Sequence, residues 1–242
     1  MFQGRNSEAA AGFRHGAALH RAAGEQILAL LGEVSVSQAM TYGGSPVEAA
    51  ARMDDLIRLA RDSGNPSAQS WAHYVAGEAV ADVDVARALT AYAAAIEHGM
   101  KADSRLFVTL ARSYSVALAA RHGPVGGALR EFERVMEQWE DLGNEAAQWW
   151  VLLHLMVLLV RVGSDRDAAL LAGAGLVARD RHPAFTLDEK QFEETLARIR
   201  DHLGKSAIDD ALAEGAAMSY AAAVVHARRA IRTAGQAIPA DG

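Results

Sequence analysis

Residues 45–65 read SPVEAAARMDDLIRLARDSGN, and residues 123–144 read GPVGGALREFERVMEQWEDLGN. Both open on a small residue followed by Pro-Val, and both close on Gly-Asn. Between those marks the apolar residues recur at three and four, the period of a helix buried along one side. Pro46 suits the first helical position, and Ser45 with Glu48 makes a capping box, in which the hydroxyl takes a free N–H of the first turn. Gly64 and Gly143 supply the left-handed residue that ends such helices.

The likeness extends beyond these two stretches. Ala9, Ala49, Ala88, Ala128 and Ala168 follow one another at intervals of 40, 39, 40 and 40 residues. Four positions after the first four come Phe13, Met53, Tyr92 and Phe132; the fifth breaks the rule with Ala172. A fixed period of about 40 residues means supersecondary units that bury their apolar faces only against their neighbours. Alternation of period two is nearly absent, so the chain reads as all-α, a helical-repeat solenoid of helix pairs.

The second helix of each pair is expected at 46–62, 84–98, 125–142 and 165–178, and the first at 24–31, 68–81, 104–120 and 145–161. Residues 7–21 match a second helix without its partner, which leaves an apolar end or an ordinary capping helix. Gly99, Gly163, Gly204 and Gly215 read as further stops. Ser164 with Asp167, and Thr186 with Glu189, place carboxylates at helix starts. Past residue 181 the beat ceases, and helices are expected at 187–203, 206–213 and 218–234. The organisation is thus N-terminal helices at 1–40, repeats at 41–186, a C-terminal helical cap at 187–234 and a frayed tail at 235–242.

Composition narrows the function. The 242 residues are half apolar, carry a formal net charge of −6 and include no cysteine. An acidic chain is a poor match for nucleic acid, which needs concentrated basic surface; Arg228, Arg229 and Arg232 form the single basic cluster. Disulfides and thiolate metal sites are excluded. Residues 1–14 hold no apolar signal segment. The most apolar run, 146–160, contains Gln148 and His154 and falls short of the roughly 20 residues a membrane span needs. A cytoplasmic protein is the expectation, and abundant alanine with scarce lysine points to a high-GC genome.

With their small-x3-aromatic pattern, the second helices resemble tetratricopeptide-like units. They are about six residues longer than the usual unit and lack its Trp-Leu-Gly-Tyr string. In length they are similar to the repeats of the large actinobacterial ATP-dependent transcriptional regulators of the LuxR type, some of which carry cyclase-like domains. The stretches Leu170-Leu171-Ala172-Gly173-Ala174, Glu189-Lys190-Gln191-Phe192-Glu193, Leu203-Gly204-Lys205-Ser206-Ala207 and Ala213-Glu214-Gly215-Ala216-Ala217-Met218-Ser219 resemble the end of that helical region. The resemblance implies a regulatory module that receives a partner or ligand and biases an ATPase switch. This polypeptide shows neither the nucleotide-binding module nor a helix-turn-helix, so ATPase, cyclase and DNA-binding activities do not follow.

Several motifs imitate chemistry. Gly204-Lys205-Ser206 ends like a phosphate loop, but the earlier glycine it needs is Ile199 and a helix precedes it. Gly173-Ala174-Gly175 with Ala178 spells a dinucleotide fingerprint inside a helix, where close helix packing accounts for small residues. His15 and His20 point apart, and Glu193-Glu194 and Asp209-Asp210 are sequence neighbours that do not face each other on a helix. No metal, cofactor or catalytic set is expected.

One column stands out. Tyr74, Tyr114 and His154 are spaced by 40 and occupy equivalent places in three first helices. Trp150 and Arg161 share the His154 face, and Trp71 shares the Tyr74 face; Trp149 belongs to the core. In tetratricopeptide-like arrays first helices line the concave groove. Tyr74, Tyr114, Trp150, His154 and Arg161 are therefore the expected binding residues for a protein or peptide partner, with a small-molecule sensor as the alternative.

Overall fold

Gly64 and Gly143 each hold a φ of 65°, and the asparagine after each begins the next helix. Asn65 Oδ1 accepts from the Ala68 N–H at 2.9 Å, and Asn144 Oδ1 from the Ala147 N–H at 3.0 Å. The Gly-Asn pair thus closes one helix and caps another. Ser45 was expected to do this capping, but its side chain makes no cap bond. Its ψ of 50° lies far from the extended backbone that turns an N-cap hydroxyl onto the first turn. Pro46 alone marks that start.

The computed structural model describes residues 5–181 and 189–237, which form helices with no strand among them. In order these are α1 (Asn6–Ala22), α2 (Gln26–Tyr42), α3 (Pro46–Asp62), α4 (Pro66–Val80), α5 (Val85–Lys101), α6 (Arg105–His122), α7 (Val125–Asp141), α8 (Glu145–Arg161), α9 (Asp165–Arg181), α10 (Glu189–Leu203), α11 (Lys205–Ala216) and α12 (Tyr220–Ala237). The first helix expected at 24–31 starts later and runs eleven residues further. Gly24, at a φ of 80°, precedes it as a turn residue. Residues 235–237 belong to α12 rather than to a frayed tail. Thr186 and residues 187–188 lie outside the described residues.

The chain divides into two compact units, Met1–Ser115 and Val116–Gly242, and α6 runs through the boundary. In the first unit each helix from α1 to α5 packs on the next, and α2 also touches α4. In the second, α7, α8 and α9 pack in series, α10 and α11 lie on α9, and α12 packs on α7, α8 and α9. No described helix is long and apolar enough to cross a membrane.

The repeating positions form the core. Ala49, Ala88, Ala128 and Ala168 are buried, as are Met53, Tyr92, Phe132 and Ala172. Tyr92 fits because residue 77 lacks a side chain: a Cβ on Gly77 would stand 2.5 Å from the Tyr92 ring. The N-terminal copy departs from this register. Ala9 is only half-buried and Phe13 is 37% exposed, while Ala10 and Ala17 face inward. Ala17 sits against Gly32, where a Cβ would lie 2.8 Å from the Ala17 methyl, so α1 is turned by about one residue to bring its small side toward α2.

Two of the expected stops are packing contacts instead. Gly99 lies within α5, where a Cβ would come within 3.0 Å of Val108 and 3.2 Å of Ser70 Oγ; Asp103, at a φ of 50°, takes the left-handed position after that helix. Gly215 lies within α11, and a Cβ there would be 2.1 Å from the Leu170 carbonyl oxygen. The same relation holds in reverse, since a Cβ on Gly173 would be 2.2 Å from the Leu212 oxygen. The backbones of α9 and α11 are nearly in contact, as the glycines of 173–175 led us to expect of a helix–helix seam.

Candidate binding site

Tyr74 is buried in α4 with Glu78 one turn further on, and the phenol donates to Glu78 Oε1 at 2.7 Å. The Tyr42 hydroxyl, from the end of α2, donates to the same oxygen. Gln38, one turn earlier in α2, donates its amide N–H to Oε2 at 2.9 Å. Glu78 is 7% exposed, and its partners include these neutral donors and Tyr114 of α6. Such a set of donors on two oxygens is the arrangement an ionised carboxylate takes. Burial pushes the carboxyl up from its ordinary range, and the hydrogen bonds from Tyr42, Tyr74, Gln38 and Tyr114 oppose that shift.

The Tyr42 oxygen also lies 3.0 Å from the Tyr114 oxygen. Tyr114 is itself hydrogen-bonded to Glu78 as well. The two phenols and the carboxylate therefore form one hydrogen-bonded group. Burial first, and then the charge of Glu78, push Tyr42, Tyr74 and Tyr114 well above the ordinary phenol value. All three remain protonated donors at physiological pH.

The rings continue the cluster. Tyr74 meets Tyr114 edge-on at 5.3 Å and stacks on Trp71 at 5.2 Å, and Trp71 stacks on Phe107 at 5.8 Å. Tyr92 of α5 backs the group, with its ring 6.2 Å from Tyr74 and 6.1 Å from Tyr114. Two members of the predicted column thus sit together in the first unit around a carboxylate that the sequence reading had not named. Gln38 and Glu78 are themselves 40 residues apart, on the same beat one turn later, but Gln38 lies beyond the expected helix 24–31.

The remaining predicted residues lie in the second unit. His154 is 4% exposed, with its ring edge-on to half-buried Trp150 at 4.2 Å. Neither ring nitrogen has a hydrogen-bond partner among the described residues. Burial, and then the positive charge of Arg121, lower its pKa from 6.5 to about 3. Arg161 is committed to backbone: its guanidinium donates to the carbonyls of Ala119 at 3.1 Å, Ala120 at 2.6 Å and Gly123 at 3.1 Å. It closes the C-terminal end of α6, where free carbonyls favour a cation. Trp149 is buried, edge-on to Tyr220 at 5.6 Å.

Two residues of the basic cluster are engaged within the same unit. Arg228 bonds Glu140 at 2.7 Å, and Arg229 donates to His226 Nδ1 at 3.1 Å. His226 Nε2 lies 3.2 Å from Asp167 Oδ1, and this contact holds Asp167 below the usual carboxylate range. Among the described residues no group of three or more His, Asp or Glu is arranged to hold a metal. Compared with protein-family models, curated proteins and solved structures, the chain matches none.

Proposed function

We propose that this chain is a non-catalytic helical-repeat module, tetratricopeptide-like in its units, that binds a protein or peptide partner. In this reading it belongs to, or derives from, a LuxR-type regulator and acts in the cytoplasm by biasing an ATPase switch. Such a module shifts the switch only as far as its partner prefers one state over the other. The observation that carries the reading is the row of rings from Tyr42 through Tyr114, Tyr74 and Trp71 to Phe107. It is drawn from α2, α4 and α6, all first helices, and includes half-buried and exposed members. Rings with a polar tip serve surfaces that bind by area and a few directed hydrogen bonds.

The test is capture. The purified chain, crosslinked in lysate of its own organism, should retain an ATPase or helix-turn-helix regulator, and Tyr114→Ala should release it while leaving the circular dichroism unchanged. Retention undiminished in Tyr114→Ala would remove the aromatic row from the interface.

A sensor role rests on a different observation, the unpartnered nitrogens of buried His154 beside Trp150. It predicts a ligand-induced rise in melting temperature that disappears in His154→Phe. A shift that survives the substitution would place the ligand elsewhere.

A further inference from the structure

Glu78 presents an imbalance of charge. Its carboxylate is buried and hydrogen-bonded by Gln38, Tyr42, Tyr74 and Tyr114, but every donor is neutral. Hydrogen bonds offset desolvation without cancelling the charge, and a buried anion gains further from a nearby cation. Of the helices that supply its partners, α2 and α4 contain neither lysine nor arginine, and the groups that act on the Glu78 carboxyl, Tyr42, Tyr74, Gln38 and Tyr114, are all uncharged.

The path from this charge to the surface is Tyr42. Its hydroxyl lies inside the cluster on Glu78, whereas 40% of the residue is exposed. The rings of Tyr74, Trp71 and Phe107 are stacked on one another; the Tyr42 ring has no ring partner among the described residues. A phenol that donates to a carboxylate gains electron density in its ring, and this deepens the negative potential over the ring face. The half-buried Tyr114 adjoins it through the shared hydroxyl contact. An electron-rich face, a second aromatic ring and an uncompensated carboxylate behind them form a surface suited to an organic cation.

We propose that Tyr42 and Tyr114, backed by Glu78, bind an alkylated ammonium group, with the cation over the Tyr42 ring and its charge answered by the buried carboxylate. This deepens the reading of the chain as a binding module by naming the chemistry the first-helix face takes. The ammonium can be free or carried on a lysine of a peptide. The assignment uses no catalytic step; Tyr42 and Tyr114 touch the cation, and Glu78 acts through them.

The full isotope-labelled chain, titrated with choline and separately with its uncharged isostere 3,3-dimethylbutanol, tests the site by NMR. Resonances of Tyr42 and Tyr114 should shift with choline at an affinity about five- to tenfold above the isostere. Glu78→Gln, which keeps the shape and removes the charge, should abolish that preference. Tyr42→Leu, at an exposed ring, should abolish the choline shifts with the fold intact, so the proposal stands tested even if Glu78→Gln fails to fold. A short peptide bearing trimethyllysine, compared with choline, separates the two sources: tighter peptide binding assigns the ammonium to a protein partner, and equal binding assigns it to a free amine. Equal shifts from choline and its isostere, or none from choline, overturn the cation site. The lysate capture reports separately on the binding-module reading, because partner retention can persist when choline fails.

Discussion

His154 stays neutral in the folded chain because its surroundings cannot solvate a charge, and this gives it a signature in stability. Its pKa falls from 6.5 to about 3 on folding, so between those values the unfolded chain takes up a proton that the folded chain refuses. Stability contributed by the neutral ring is complete above pH 6.5 and is lost as pH falls toward 3, at about 1.4 kcal/mol per pH unit. Urea melts from pH 7 to 4 should show this slope in the wild type, reduced by that amount in His154→Leu. At pH 7 the substitution should stabilise by about 1–3 kcal/mol, since it removes two buried polar atoms that lack partners. Phe132→Ala should cost about 3–5 kcal/mol, and Phe13→Ala less than about 1 kcal/mol, although the two hold the same place in the beat. Phe132 is wholly buried and Phe13 is not. The difference follows from residue 32 being glycine, which draws α1 in by its alanines, and a period in one sequence carries no mark of such a rotation. Tyr74 and Tyr114 could be read from spacing alone. Tyr42 and Gln38 could not, once the first helix was ended at Leu31, seven residues before Gln38.

At the scale of elements, the helix ends and seams carry separable costs. Asn144→Ala should lose about 1 kcal/mol, the worth of a side-chain cap. Ser45→Ala should change stability by less than about 0.5 kcal/mol, since its hydroxyl caps nothing; equal losses at the two sites would refute the capping assignment. Gly215→Ala should cost about 2–4 kcal/mol, because the new methyl meets the Leu170 carbonyl and α9 and α11 must separate. Gly12→Ala, in α1 with nothing within 4 Å, should gain about 0.5–1 kcal/mol from helix propensity. Denaturant midpoints measure all four. The element pattern was legible because most boundaries carry chemistry: Pro46 at a start, Gly64 and Gly143 in left-handed turns, Asn65 and Asn144 after them. Gly99 and Gly215 misled because glycine serves both as a stop and as a place of close approach, and only the neighbouring helix distinguishes the two uses.

At the scale of the whole molecule, the 40-residue beat runs on unbroken from Tyr74 to Tyr114 to His154, yet the chain divides at residue 115. Periodicity reports local equivalence, while the division reflects how densely helices far apart in sequence touch, which no spacing encodes. Because α6 runs through the boundary, a fragment ending at His122 should unfold at higher urea than one ending at Ser115, whose last helix is cut short by two turns; coincident melts would show that the extra turns add nothing to the first unit. The Gly-Asn turns bear on the chain's history as well. Each connection, 63–65 and 142–144, spends its three residues on finishing one helix and starting the next. A single inserted or deleted residue there would break a stop or a cap and rotate everything downstream by a third of a turn. Length in these stretches is therefore inherited in steps: the change they accept most readily is the gain or loss of a complete helix pair.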